Sequence, residues 1–173
     1  MRLELTEPSL IVLIGAAGAG KSTLAARLFV PDQILSSDAF RAVVSGDAAD
    51  QRVTRTAFSI LHRELARRLA ARRTTIVDAT NATASARRGL VQRATGSGVP
   101  AVAIVLALPP SLVLARNASR AGRVVPQPAV LRQLDDIDRS LRRGLEMEGF
   151  SAVYLLRTPA AVDALDIGWR LRA

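Results

Sequence analysis

The stretch GAAGAGKS, residues 15 to 22, constrains the fold more than any other part of the chain. It is preceded by SLIVLI, which reads as a buried strand over Ser9 to Ile14, and followed by a helical pattern from Lys21 to Phe29. The pattern G-x-x-x-x-G-K-[ST] between a strand and a helix is a phosphate loop. The chemistry explains the residue types. Gly15, Gly18 and Gly20 let the backbone turn tightly, and the small Ala16, Ala17 and Ala19 leave it free to wrap phosphates with its N–H groups. The helix that follows adds its positive N-terminal end. Lys21 can reach the β- and γ-phosphates of ATP, the Ser22 hydroxyl can ligate Mg²⁺, and Thr23 completes the candidate nucleotide-binding set.

The rest of the chain suits such a loop. Further strands are expected at Gln33 to Ser36, Thr74 to Ala79, Val99 to Leu108 and Ala152 to Leu156. Between them lie helical patterns near Ser37 or Asp38, from about Asp50 to Arg72, from Ser85 to Ala94, after Pro109-Pro110 and from about Ala129 to Arg143, with a short helix expected after Pro159. In the long helix from about Asp50 to Arg72, Val53, Ala57, Ile60, Leu61, Leu65 and Leu69 form the apolar stripe. Strands alternating with helices predict an α/β fold, a mainly parallel five-stranded sheet flanked by helices. With 173 residues, one domain over 1–173 is expected.

Three segments carry candidate chemistry beyond the loop. SSDAFR places Asp38 just past the second strand and Arg41 one helical turn later. Ligands of open α/β sheets gather at strand ends, so Asp38 can accept the proton of an attacking hydroxyl while Arg41 holds an anionic group on the acceptor. Equally, Ser36, Ser37 or Asp38 could cap the helix with Arg41 solvated; spacing alone does not separate the two readings. The third strand ends in IVDATN, where Asp78 either assists Mg²⁺ through water or caps the next helix, and Thr80 and Asn81 can line the same rim. RNASRAGRVVP crowds Arg116, Arg120 and Arg123 around Gly122, as suits a helical lid over about 116–128 that closes on polyphosphate. Arg120 is equally explained by a solvated helix face.

Composition narrows the partners. The net charge is +9, and every basic side chain except Lys21 is arginine. A polyanionic partner such as nucleic acid fits that charge, as does a merely soluble basic surface. Aromatic residues make up only 3%, which argues against extensive base stacking. There is no cysteine and the start, MRLELTEPS, has no secretory pattern, so a cytoplasmic protein is expected.

With these segments together, the sequence resembles the 5′-hydroxyl polynucleotide kinase domain of bacterial polynucleotide kinase-phosphatases, the RNA-repair proteins. The resemblance rests on GAAGAGKST, SSDAFR, Asp50-Gln51, Leu61-His62, VDATN, the RN-to-RVVP lid and the closing VYLLR, in that order. It implies ATP-dependent transfer of the γ-phosphate to a 5′-OH polynucleotide end by in-line attack. It implies Lys21 and Ser22 on the donor phosphates and Mg²⁺, Asp38 as general base, Arg41 and Gln51 on the acceptor side, and Arg116 and Arg123 as lid clamps. Full-length members of that family continue into phosphatase and ligase-like modules. Here His62 is the only histidine and no metallophosphatase cluster is visible, so phosphatase activity is not expected and the chain reads as an excised module or a stand-alone kinase. A small-metabolite kinase and a kinase acting on aminoacyl-tRNA share the same motifs. A nucleotide-dependent switch that transfers to nothing is the alternative of another class, and the pairing of Asp38 with Arg41 speaks against it.

Overall fold

A computed structural model describes residues 2–47, 52–121 and 124–171. Its centre is the strand that precedes the phosphate loop. That strand, β2 (Leu10–Ile14), is buried at all five positions, as is β5 (Ala101–Leu106) at all six. Such unbroken apolar runs belong to parallel strands covered on both faces. They stand side by side in a five-stranded parallel sheet completed by β3 (Ile34–Ser36), β4 (Thr75–Asp78) and β6 (Ala152–Leu156), in the order β3-β4-β2-β5-β6. All five expected strands are present, and the α/β fold with its parallel sheet is the one read from the sequence.

The order places β3 and β4 on one side of β2 and β5 and β6 on the other. The connections after β2 and β5 therefore diverge, which opens a crevice above their carboxyl ends where such sheets bind ligands. The phosphate loop lies there, between β2 and α1 (Lys21–Leu28). α2 (Ser37–Ser45) and α3 (Thr54–Ala70) follow β3, and α4 (Ala84–Gly96) follows β4. α5 (Pro110–Ala118) and α6 (Gln127–Arg143) lie between β5 and β6. Helix α3 buries Ala57, Leu61, Leu65 and Leu69, a strict four-residue repeat that sets one stripe against the core. It is shorter than the expected span: residues 52 and 53 form a turn, and at the far end Arg72 takes a left-handed φ of 51°, which a helix does not continue through.

Two strands were not read from the sequence. β1 (Arg2–Glu7) and β7 (Asp166–Leu171) form a separate parallel pair that runs from Arg2↔Asp166 to Glu7↔Leu171. The acidic start is thus a strand, with Leu3 and Leu5 buried and Arg2 and Glu4 exposed. The short helix after Pro159 is present as α7 (Pro159–Asp163). Among the described residues no helix is long and apolar enough to cross a membrane.

Candidate functional site

The loop is fixed before any ligand arrives. Gly15 donates its N–H to the Thr80 carbonyl at 3.1 Å, and Ala19 to the Ala16 carbonyl at 3.1 Å. Gly18 and Gly20 have φ of 90° and 94°, in the left-handed region. At Gly18 space excludes a side chain as well, because a Cβ would lie 2.5 Å from the Val113 carbonyl oxygen and 2.9 Å from the Asn117 nitrogen of α5. The glycine therefore lets the loop rest on the helix that leads into the arginine segment. The Lys21 ammonium donates to the Ala16 carbonyl at 3.1 Å, curled over the loop that it would serve.

The rim after β4 is stitched to the same centre. Asn81 adopts a left-handed φ of 47° and donates its side-chain amide to the Leu13 carbonyl of β2 at 2.8 Å. Beneath it the Arg87 guanidinium, fully buried, donates to the carbonyls of Asn81 and Ala82 at 2.8 and 2.7 Å, to Ser140 Oγ at 2.8 Å, and to the Glu148 carboxylate. Every position from Asp78 to Thr83 lines the crevice.

Two cavities flank the loop. One, of about 320 Å³, holds Asp38 and Arg41 of α2, Thr54 and Phe58 of α3, and Asp78. The other, of about 400 Å³, lies between the loop, Arg27 of α1, Arg116, and Pro159, Val162 and Asp163 of α7. Lys21, Ser22 and Arg120 line both, so the two spaces meet over the first turn of α1. Arg27 holds the far wall in place, donating to the carbonyls of Val162 and Leu165 at 2.6 and 2.9 Å.

The structure separates the two readings of SSDAFR in part. Ser36 is the N-cap, its hydroxyl accepting the Ala39 N–H at 3.4 Å. Asp38 is thus not needed as a cap. Arg41 is buried, not solvated, and its guanidinium donates to the Asp38 carboxylate. Asp78 is buried at the end of β4, and Ser22 shares its cavity. Gly18, Ala19, Gly20, Lys21, Ser22 and Thr23 face the second cavity, whereas Gly15 sits behind them with its amide on Thr80. The Arg116 guanidinium lies alongside Gly20, 3.9 Å from where a Cβ would stand. Gln51 and Arg123 lie outside the described residues, so their candidate roles rest on sequence. Asn117 closes the base of the arginine segment, exchanging two hydrogen bonds with Val125 at 2.7 and 3.2 Å.

Sequence reading undervalued Arg120, which lines both cavities, and missed Gln133, Asp136, Phe58 and Arg87. It also assigned no residue to the outer wall of the second cavity, where α7 and Arg27 stand. The signal for Arg87 and Gln133 was their helical phase. Arg87 falls in step with buried Leu90, Val91 and Ala94, and Gln133 with buried Val130 and Ile137.

Solved structures share the architecture. A chain of the Pnkp1/Rnl/Hen1 RNA repair complex aligns over 80% of this chain and 47% of its own length, with 23% identity and a TM-score of 0.69. This protein therefore spans about half of that chain. A gluconokinase from Sinorhizobium meliloti 1021 aligns over 92% of this chain and 94% of its own, with 19% identity and a TM-score of 0.54. Shikimate kinase from Acinetobacter baumannii aligns over 90% and 88%, with 22% identity and a TM-score of 0.54. These identities establish the common fold of P-loop kinases and nothing narrower. No curated protein matches the sequence significantly. A family model described as an AAA domain matches residues 10–143, from β2 to the end of α6, and the chain belongs to that family.

Proposed function

We propose that the protein is a kinase that transfers the γ-phosphate of ATP to the 5′-hydroxyl end of a polynucleotide. The observation that carries the reading is the pair of cavities that meet at Lys21, Ser22 and Arg120, with Asp38 and Arg41 on one side only. A phosphate donor on the α7 side would present its terminal phosphate at the junction. A hydroxyl on the other side would then stand opposite the leaving oxygen, as in-line displacement requires.

The chain's own groups account for the steps. Asp38 accepts the proton of the attacking hydroxyl, whose oxygen forms the new bond to phosphorus as the bond to the β-phosphate oxygen breaks and ADP leaves. Arg41, buried and paired with Asp38, fixes the carboxylate and adds positive charge next to the acceptor. Lys21 exchanges the Ala16 carbonyl for phosphate oxygens, and Arg116, Arg120 and Arg123 neutralise the transferring group. Ser22 and Asp78 suit Mg²⁺: both offer hard oxygens in one cavity, Ser22 as a direct ligand and Asp78 through water, which leaves positions for phosphate and further water. When bound, the ion would disperse charge on the β- and γ-phosphates.

The polynucleotide acceptor is supported by the net charge of +9, by the resemblance of the motifs, and by the structural likeness to a chain of an RNA repair complex. Phe58 gives the acceptor side one ring, which suits a terminal nucleotide held with little sequence preference. On the same reading, phosphatase and ligase-like modules would work alongside this domain if it is an excised module, and a stand-alone kinase would work without them. A small-metabolite acceptor is the second reading, favoured by a cavity of about 320 Å³, a size that encloses a small ligand, and by full-length alignment with gluconokinase and shikimate kinase. The test is incubation with γ-labelled ATP and 5′-OH oligonucleotides, with sugars, nucleosides, shikimate and tRNA in parallel. Label on 5′-OH ends supports the proposal. Label on a metabolite alone overturns it, and hydrolysis without a labelled acceptor points to a switch.

A further inference from the structure

The loop amide nearest the acceptor is already engaged by a side chain from another helix. Ala17 donates its N–H to Gln133 Oε1 at 2.9 Å, across 116 residues of sequence. Gln133 stands near the start of α6, after the arginine segment, and half-buried in the crevice. Ala17 lines the cavity that holds Asp38, whereas Gly18, Ala19 and Gly20 line the cavity on the α7 side. Of residues 15–20 only Ala17 lines the Asp38 cavity, which the proposed function gives to the acceptor, and Gln133 lines the same space.

A glutamine amide has two ends. With Oε1 held by the Ala17 N–H, the Nε2 group is fixed in plane, and it makes no hydrogen bond to another described residue. The carboxylates of Asp38, Asp78 and Asp136 line the same cavity and donate nothing when ionised, whereas a transferring phosphoryl group needs donors on its equatorial oxygens. We infer that Gln133 is a further catalytic residue: its Oε1 braces the loop at Ala17 while its Nε2 donates to the phosphoryl group in flight. Placement from α6 has a second consequence. The helix that follows the arginine segment contacts the loop directly, so one side chain both fixes the loop and places the donor amide. The inference rests on the phosphoryl-transfer reading but is indifferent to the acceptor.

Two substitutions separate the donor role from the brace. Gln133→Glu keeps an oxygen for the Ala17 N–H and removes the Nε2 donors. Gln133→Leu removes both at similar volume. Each variant is measured for kcat and KM with ATP, for ADP affinity, and for affinity towards ADP with aluminium fluoride, a planar phosphoryl mimic. Both variants are expected to lose about 100-fold in kcat, the cost of one well-placed donor to a charged transition state. They are also expected to keep ADP affinity and to lose preference for the mimic. Wild-type kcat in Gln133→Glu would overturn the inference, leaving a structural brace. So would a fall in ADP affinity parallel to the fall in kcat. A wild-type protein that prefers the mimic to ADP but labels no 5′-OH end refutes the polynucleotide acceptor alone, and the variants' binding ratio then decides on Gln133. Wild-type protein with neither transfer nor that preference overturns both.

Discussion

Arg87→Met should be among the most damaging single substitutions outside the loop, and its cost can be worked from its contacts. The side chain is fully buried and spends every nitrogen: two on Glu148, one of these also on Ser140, and the third on the Asn81 and Ala82 carbonyls. Removing one member of a buried ion pair costs about 3–5 kcal/mol, because the other charge is left without compensation. Glu148 retains 19% of its side-chain exposure and regains some water, which lowers the figure. The two carbonyls lose partners in a buried rim, which raises it by about 1 kcal/mol each if unrelieved. A net loss of about 4 kcal/mol is expected, equivalent to a fall in Tm of roughly 8–16 °C for a chain of this size. Urea titration followed by far-UV circular dichroism reads the change as a shifted midpoint at constant slope. The double substitution Arg87→Met with Glu148→Met should recover much of the loss, since it removes the stranded carboxylate. A single variant within about 1 kcal/mol of wild type, or a double variant no better than the single, would refute the reasoning. Because Asn81 and Ala82 line the Asp38 cavity, surviving Arg87→Met protein should show a raised KM for the acceptor more than for ATP.

Other consequences can be checked with smaller changes. Asp38→Asn keeps the shape but not the base, so phosphate transfer should fall about 100- to 10,000-fold while ATP affinity, read by calorimetry, changes little. Gly18→Ala places a Cβ 2.5 Å from the Val113 carbonyl at a φ of 90°, so it should displace the loop from α5 and abolish measurable ATP binding even where circular dichroism shows a folded protein. Hydrogen bonds from Arg67 and then Arg68 lower the Glu64 carboxyl from 4.5 to about 2. Its contribution to stability is therefore present above about pH 4.5 and lost as pH falls towards 2, and Glu64→Gln should flatten the acid limb of the stability curve in that window. Burial, and secondly the Arg93 charge, lower the pKa of His62 below 6.5, so neutral His62 favours the fold above pH 6.5 and the benefit is lost below it; His62→Leu should remove that earlier decline.

The sequence made some parts of this molecule legible because their cause is local. SLIVLI and AVAIVL declare buried strands by composition alone, and GAAGAGKS declares its chemistry by residue type and spacing. The pair β1–β7 was hidden for the opposite reason. RLELTE alternates as a strand should, but its partner lies more than 160 residues away, with register Arg2↔Asp166, and nothing nearby announces the pairing. α7 was legible as a helix after Pro159, whereas its place beside the loop depends on Arg27 reaching the Val162 and Leu165 carbonyls.

Strand ends yielded Asp38 and Asp78 and the next helical turn Arg41, whereas polar residues deeper in helices, Arg87 and Gln133, were not read. Arg41, Arg87 and Gln133 share one property. Each stands in the phase of its helix that otherwise faces inward: Arg41 with buried Ser37, Arg87 with Leu90 and Val91, and Gln133 with Val130 and Ile137. An apolar residue at any of these places would complete the stripe expected of a helix packed on a sheet. A buried guanidinium is tolerated only with partners, and the partners here are the Asp38 carboxylate for Arg41 and, for Arg87, the Glu148 carboxylate together with the cavity rim. Gln133 reaches the phosphate loop in the same way. The inward faces of α2, α4 and α6 therefore do two jobs: they pack against neighbouring elements and, through Arg41, Arg87 and Gln133, they hold groups that stand at the strand ends.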